Sequence, residues 1–518
     1  MVGAKRFATL ASAGVLLALT GGAVAAPAAD TVVVALNEDI RGSDPRRERD
    51  GLTDPVHMHI IEGLVGIRDD LEVGPMLAEK WEMRDDGRTY VFTLRDGVPF
   101  HNGEKVTAEA VKWSWEYLTA ADSLWRCKPV MTGQGPAKVE AVEAPDARTV
   151  VFRLDKPNAG FLYTMARPDC GSTPVFHPKS LNADGSWNKV IGTGPFTLAD
   201  RRIGEFAEIR RFADYAARTD PPTGLVGSKR PLVDKVRFMI VSDDSTRQLA
   251  LQSGDIDIAT LQAQAAKELA ANPKLDIVTA ETTVWYALLL NQNDPLLKDK
   301  RLRQAIAAAI DREAVAEAVT YGQSKGSNSP MPRLSRYYST MQAGNTAAEP
   351  QRAKSLLKAA GYNGQPITIT ANKRFSLMYD DAVIIQSMLQ AAGINATIEV
   401  VEWGLQLDRY VKGNYQSQSF GYSGRYEPLG AWDRIIGPES NKIWKDPEAI
   451  TLLKSAADTD DKAKIQQISD RLYRKFIDEV PAVGLYLVTV NFGVTKRIQG
   501  LKPSPIEYAR LWNVTIGK

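Results

Sequence analysis

The chain has 518 residues, 44% of them hydrophobic and 24% charged, with 64 lysines and arginines against 62 aspartates and glutamates. That is the composition of an ordinary globular protein, long enough for two or three cores. A net charge of only +2 argues against nucleic acid or an anionic membrane as partner, because counterion release and phosphate contact both need a basic face.

In chain order, the first feature is a leader. Lys5 and Arg6 precede an apolar run from Phe7 to Leu19, and small residues follow from Gly21 to Ala26. This charged, apolar, A-x-A order is that of a cleavable secretory signal over residues 1–26. The run is too short to span a bilayer, and no later segment reaches the roughly 18 uninterrupted apolar residues that a membrane helix needs. No cysteine lies near the cleavage point to accept a lipid. A soluble, periplasmic, unanchored protein is expected, and loss of Lys5 and Arg6 leaves it neutral. In an oxidising compartment the two cysteines, Cys127 and Cys170, are expected to pair. The loop they would close spans 43 positions, a constraint of roughly 3 to 4 kcal/mol in the chain-entropy picture.

Thr31 to Leu36 reads as a buried strand, followed by an irregular arginine-rich loop from Asn37 to Asp54. His57 and His59 precede Ile60 to Leu64, and with four histidines in the chain a metal pair is disfavoured, since metal sites add further ligands at ordered spacing. Tyr90, Phe92 and Leu94 alternate with polar neighbours, and Val150, Phe152 and Leu154 repeat the pattern. Between them Thr107 caps a helix whose face carries Val111, Trp115 and Leu118. Gly192 and Gly194, in Ile191 to Phe196, do not fit a dinucleotide fingerprint. Thr197 stands at the third glycine position and Pro195 removes an amide, so a tight turn using glycine's backbone freedom is expected instead. Gly254 is expected to end the helix that carries Leu249.

Further along, Asn291 to Pro295 turns into Leu302, Ala305, Ile306, Ala309 and Ile310 at helical spacing, with Arg301, Arg303, Gln304 and Asp311 expected in water. Ala353, Leu356, Leu357 and Ala360 mark a helix closed by Gly361, before a strand from Pro366 to Thr370. Ile385, Met388, Leu389 and Ala392 mark another closed by Gly393, before alternating Ile394, Ala396, Ile398 and Val400. Helices followed closely by strands favour parallel units in an α/β fold. Catalytic groupings are poorly supplied. There is no P-loop, and Gly421 to Arg425 is a failed nucleophile elbow, with Arg where Gly belongs and no triad partner after it. No enzyme, metal or cofactor is expected. Aromatic residues Trp285, Tyr286, Trp403, Tyr422 and Tyr486 collect instead where strand ends meet loops, which is where open α/β lobes hold ligands.

Several of these phrases together carry a resemblance. Phe100 to Lys112 looks like F-H-[DN]-G-x-x-x-T-A-x-D-V-K, with Ala110 at a usual acid. Ile191 to Phe196 resembles I-G-T-G-P-[FY], Leu249 to Asp257 a helix-to-strand corner, and Arg301 to Arg312 an R-x-R-Q-A-I-x-x-A-I-D-R helix. In this order they resemble the extracytoplasmic solute-binding proteins of ABC importers, the peptide, opine and nickel group of family 5. The resemblance implies a two-lobed, Venus-flytrap α/β fold of the large three-domain type. Residues 27–57, 189–281 and 488–518 would form lobe 1, residues 58–188 an inserted α+β domain, and residues 282–487 lobe 2, with crossings near Thr282 and Val488.

It also implies a role: a monomer holding a small solute between its lobes and passing it to an inner-membrane ABC permease. Trp403, in Val401 to Gly404, is similar to a cavity-lining tryptophan of the family, and Gly484 to Tyr486 to its apolar-tyrosine stretch. Arg374 aligns with an arginine that takes a substrate carboxylate. At Gly421 to Pro428 peptide binders place an aspartate for the peptide amino terminus, whereas Arg425 stands here. A guanidinium does not pair an ammonium. The expected ligand is therefore a carboxylate-bearing opine, modified amino acid or peptide-like solute, clamped by Arg374 and Arg425 and sandwiched by Trp285, Tyr286, Trp403, Tyr422 and Tyr486. A sensory or chaperone-like periplasmic module and an exported hydrolase are the alternatives.

Overall fold

A computed structural model describes residues 30–48, 51, 53–344 and 346–517, so the leader lies outside the described residues. Its backbone is organised by one mixed sheet of ten strands. In chain order these are β1 (Thr31–Leu36), β2 (Phe196–Arg202), β3 (Phe206–Arg211), β4 (Lys235–Ile240), β5 (Ile258–Leu261), β6 (Leu275–Leu290), β7 (Ile367–Ala371), β8 (Ala396–Val400), β9 (Ser417–Tyr422) and β10 (Ala482–Thr495). In space they run β8-β7-β9-β6-β10-β5-β1-β4-β3-β2. Strand β1 pairs in parallel with β4 and β5, and β7 with β8 and β9. The two parallel groups meet at the long antiparallel pair β6 and β10.

That long pair ties the halves of the molecule. One end of β10 pairs with β5 and the other end of β6 with β9. Regular pairing between them is interrupted between Glu281 and Trp285 and again between Tyr286 and Ala287. At the first irregularity the Thr282 hydroxyl donates to the Val488 carbonyl at 2.8 Å and accepts from the Val284 amide at 3.2 Å. A side chain thus satisfies backbone groups that the ladder leaves unpaired. Thr282 and Val488 are the two positions at which crossings are expected.

A separate four-stranded antiparallel sheet, Ala78–Arg84, Thr89–Leu94, Thr149–Leu154 and Val139–Glu143, carries the helix Ala108–Thr119. Thr107 caps that helix, its hydroxyl accepting from the Ala110 amide at 3.2 Å. Phe92, Phe152, Trp115 and Trp125 are buried in this core, each worth roughly 1.5 to 3 kcal/mol or more on transfer from water. Cys127 and Cys170, both fully buried, are joined in a disulfide with their Cα atoms 5.6 Å apart.

Glycine stops appear where expected. Gly254 and Gly361 cap their helices in the left-handed region, and Gly393, also at positive φ, follows Ala392 after the helix Ser376–Ala391. Three expectations are corrected. The helix begun at Lys300 stops at Ala309, and Asp311 caps a new one, Arg312–Thr320. Arg303 is not in water but 3% exposed, its guanidinium donating to the carbonyls of Leu297, Lys298, Glu479 and Val480. Gly192 and Gly194 are needed for close approach rather than unusual dihedrals. A Cβ on either would lie 2.1 or 2.4 Å from the carbonyl oxygens of Ile60 and His59.

Candidate ligand-binding site

Strand alternation places Trp285 and Tyr286 on opposite faces of the sheet. Trp285 stacks on Tyr422 at 5.7 Å and packs against Phe476. Tyr286 stacks on Tyr486 at 5.5 Å, 7° from parallel. All four rings are buried, Trp285 and Tyr486 completely. Helices cover both faces of the sheet here, so rings on either face pack among apolar side chains. The Tyr486 hydroxyl is bound to the two oxygens of Asp381 at 2.9 and 3.1 Å. Trp403, at the start of the helix Trp403–Lys412, is half-buried and meets Phe375 edge-on at 4.9 Å. It is the one predicted aromatic with surface left for a ligand.

The two arginines each face an acidic side chain. Arg374 is exposed and lies 4.0 Å from Glu38, on the loop after β1. Arg425, on the loop after β9, donates to the Gly424 carbonyl at 2.7 Å and lies 3.8 Å from Asp169. Asp169 also receives Arg167 at 3.0 and 2.6 Å. Burial pulls the Arg425 guanidinium down to about 10, helped by repulsion from Arg167. Burial would push the Asp169 carboxyl up, but Arg167 and Arg425 outweigh it and hold it well below the usual range. Each predicted arginine therefore already faces its own acid from across the cleft.

Around this buried pair lie residues that no motif marks. Arg126, beside Cys127, is exposed and acts electrostatically on both Asp169 and Glu507. Glu507 is open to water yet desolvated: burial, then the negative charge of Asp169, push it up to about 7. A group both wetted and desolvated belongs to the wall of an enclosed cleft, not to the outer surface. Among the described residues neither Arg126 nor Glu507 has a hydrogen bond or ion-pair partner. Tyr508, Tyr426 and Asp54 complete the surroundings of Glu507 and Asp169. Glu427 is pushed up to about 7 by burial while its carboxylate caps the helix Pro428–Asp433 through the Gly430 amide. Nearby Arg434 lies over the rings of Trp285 and Tyr422 at 5.1 and 5.5 Å, and burial brings it to about 9.

Ser423 has no imidazole beside it, because all four histidines are engaged elsewhere. His57 and His59 bond the carbonyls of Gly42 and Pro55, His101 that of Gly194, and His177 lies 3.2 Å from Glu104. Burial holds His59 near 3 and His101 near 4, so both are neutral at any working pH.

Residues 72–432 match the family described as bacterial extracellular solute-binding proteins, family 5 Middle. The chain belongs to this family. It is similar to the glutathione-binding protein GsiB of Salmonella typhi, with 28% identity over 502 residues, 93% of this chain and 94% of that one. Among solved structures it resembles AgaA in complex with agropinic acid from A. tumefaciens R10, at TM-score 0.77 and 25% identity, covering 94% and 99% of the two chains. NikA from Brucella suis, at TM-score 0.82 and 20% identity over 94% and 100%, shares the fold. This family 5 protein therefore has the two-lobed binding-protein fold and is the substrate-binding component of an ABC importer. Among its described residues no helix is long and apolar enough to cross a membrane.

Proposed function

We propose that this solute-binding protein captures a small peptide-like, opine or amino-acid-derived solute, seating a carboxylate on Arg126 and a polar or cationic group against Glu507. The observation that carries the reading is the pairing of an uncommitted guanidinium with an uncommitted carboxyl on one cleft wall. Arg126, Arg167 and Arg425 all act on Asp169, and burial pushes Glu427 and Glu507 up to about 7, so the guanidiniums gathered here favour an anion. The named ligands of the relatives, glutathione and agropinic acid, fit a class with carboxylates on a small polar body. Trp403 and Phe375 supply apolar contact, as small-molecule sites usually require.

The mature protein is proposed to be a periplasmic monomer freed of residues 1–26. Lobe 1 comprises residues 27–57, 189–281 and 488–518, the inserted domain residues 58–188, and lobe 2 residues 282–487. A ligand touching both lobes favours the closed form by its differential affinity, and that form is what the permease accepts.

The test is mass spectrometry of solute released from the purified protein, followed by calorimetry of that solute, glutathione, agropinic acid and a dipeptide. The Arg126→Ala variant is expected to weaken the best ligand at least tenfold. A released solute without any anionic group, or unchanged affinity in Arg126→Ala, defeats the reading.

A further inference from the structure

A second polar cavity lies away from the cleft, among the helices of the second lobe. It has a volume of about 280 Å³ and is lined by Gln304 of the helix Lys300–Ala309, by Arg312 and Arg352, and by Arg474 and Phe476 of the helix Lys462–Glu479. Val480, which caps that helix, and Ala482, the first residue of β10, also line it. From Ala482 to Val488, where the long strands cross between lobes, β10 advances roughly 20 Å.

The charges on its wall do not balance. Glu349 is taken by Arg352 at 2.9 Å, and it and Asp311 also attract Arg312 without bonding it. Asp478 is taken by Lys300 at 2.9 Å and by the Gln304 amide at 3.2 Å. Arg474 is exposed and, among the described residues, has no ion pair. Arg312 is 4% exposed, donates one bond, to the Ile310 carbonyl at 3.0 Å, and leaves its buried Nε without an acceptor among the described residues. A buried guanidinium with one neutral acceptor is costly unless an anion or water completes its shell, and burial brings it only to about 10, so it stays cationic near neutral pH.

We propose that this cavity is a second ligand site, for a small polycarboxylate or phosphate-bearing anion held by Arg312 from inside and Arg474 from the mouth. Guanidinium groups match carboxylate and phosphate oxygens in planar, paired geometry, and the volume suits a molecule of citrate size. The site is independent of the cleft reading, and its occupation would act on the second lobe alone.

Citrate and inorganic phosphate are titrated into the mature protein by calorimetry at constant ionic strength. Saturable one-to-one binding of at least one is expected, weakened tenfold or more in Arg474→Glu, which sits at the surface and leaves cleft binding of glutathione or agropinic acid unchanged. Arg312→Gln is expected to abolish it. If Arg312→Gln does not fold, Arg474→Glu and a crystal soaked in citrate decide the matter. No saturable binding of either anion, binding indifferent to Arg474→Glu, loss of citrate binding in Arg126→Ala, or water alone on Arg312 in the soaked crystal each overturns the proposal.

Discussion

Asp381 is wholly buried in the core and accepts hydrogen bonds from the Tyr486 hydroxyl. Burial pushes its carboxyl well above the ordinary aspartate value, against the pull of the tyrosine bond and with some help from Asp380. Removing the hydroxyl leaves a polar acid unsatisfied in an apolar setting, so Tyr486→Phe is expected to cost about 1 to 3 kcal/mol. Urea unfolding reads this as a lower midpoint at unchanged slope. The pH dependence has a definite sign. Because the folded carboxyl holds its proton more tightly than the unfolded one, its contribution is fully present below the unfolded value near 3.8 and is lost as pH rises through the folded value. Asp381→Asn cannot ionise, so its unfolding free energy should fall less steeply with rising pH than that of the wild type. Identical pH slopes for the two proteins would show that Asp381 is ionised when folded.

The same residues mark where sequence reading stops. Alternation along β6, β9 and β10 is legible, because a pleated strand has period two. Whether both faces of the sheet are covered is not, since that depends on helices brought in from residues 300–320, 376–391 and 462–479. Trp285, Tyr286, Tyr422 and Tyr486 were therefore expected at a ligand and belong to the core. Arg425 is legible as an unusual residue at a ligand-facing loop, but its partner Asp169 lies 256 positions away and follows no spacing rule. Arg126 and Glu507 carry no motif; the one local signal is that Arg126 adjoins a cysteine of the disulfide.

At the scale of elements, that disulfide and the long strand pair position the site. The bond between Cys127 and Cys170 closes a loop of 43 positions, and its flanks carry Arg126 and Asp169, two of the charges that face the cleft. Replacing both cysteines by serine is expected to lower stability by about 3 to 4 kcal/mol, chiefly through a less constrained unfolded chain. It should also weaken ligand binding, because Arg126 loses its covalent anchor. Chemical unfolding with and without reductant gives the first quantity, and calorimetry below the unfolding transition gives the second. A reduced protein with wild-type affinity would show that packing around Trp125 alone fixes Arg126. The crossings of the strand pair β6 and β10 near Thr282 and Val488 were inferred from resemblance. The hydroxyl of Thr282, which bridges the irregular pairing, is the feature that only the structure supplies.

At the scale of the whole molecule, the two lobes touch through contacts of unequal worth. Arg374 meets Glu38 at 4.0 Å with both side chains more than half exposed, and Arg336 meets Glu72 at 3.2 Å, partly exposed. The Ala159 amide donates to the Ala457 carbonyl at 3.0 Å, and Tyr426, from the loop after β9, is buried in the core around the four-stranded sheet. Arg425 and Asp169 form the buried member of this set, 19% and 16% exposed. Solvent screens an exposed pair, so Arg374→Ala should change stability and lobe separation little. Asp169→Asn is different, because it strips the shared counterion from both Arg167 and Arg425 and leaves two guanidiniums buried side by side. A loss of about 3 to 5 kcal/mol is expected, together with separation of the lobes as Arg425 moves into water. Small-angle scattering of the ligand-free protein should then give a larger radius of gyration for Asp169→Asn than for wild type or Arg374→Ala. Double replacement of Arg425 and Asp169 by Ala and Asn should recover part of the lost stability, since one of the unpaired charges is gone. If Asp169→Asn matches Arg374→Ala in both unfolding midpoint and radius, the closed arrangement rests on the apolar seat of Tyr426 and not on the buried charges.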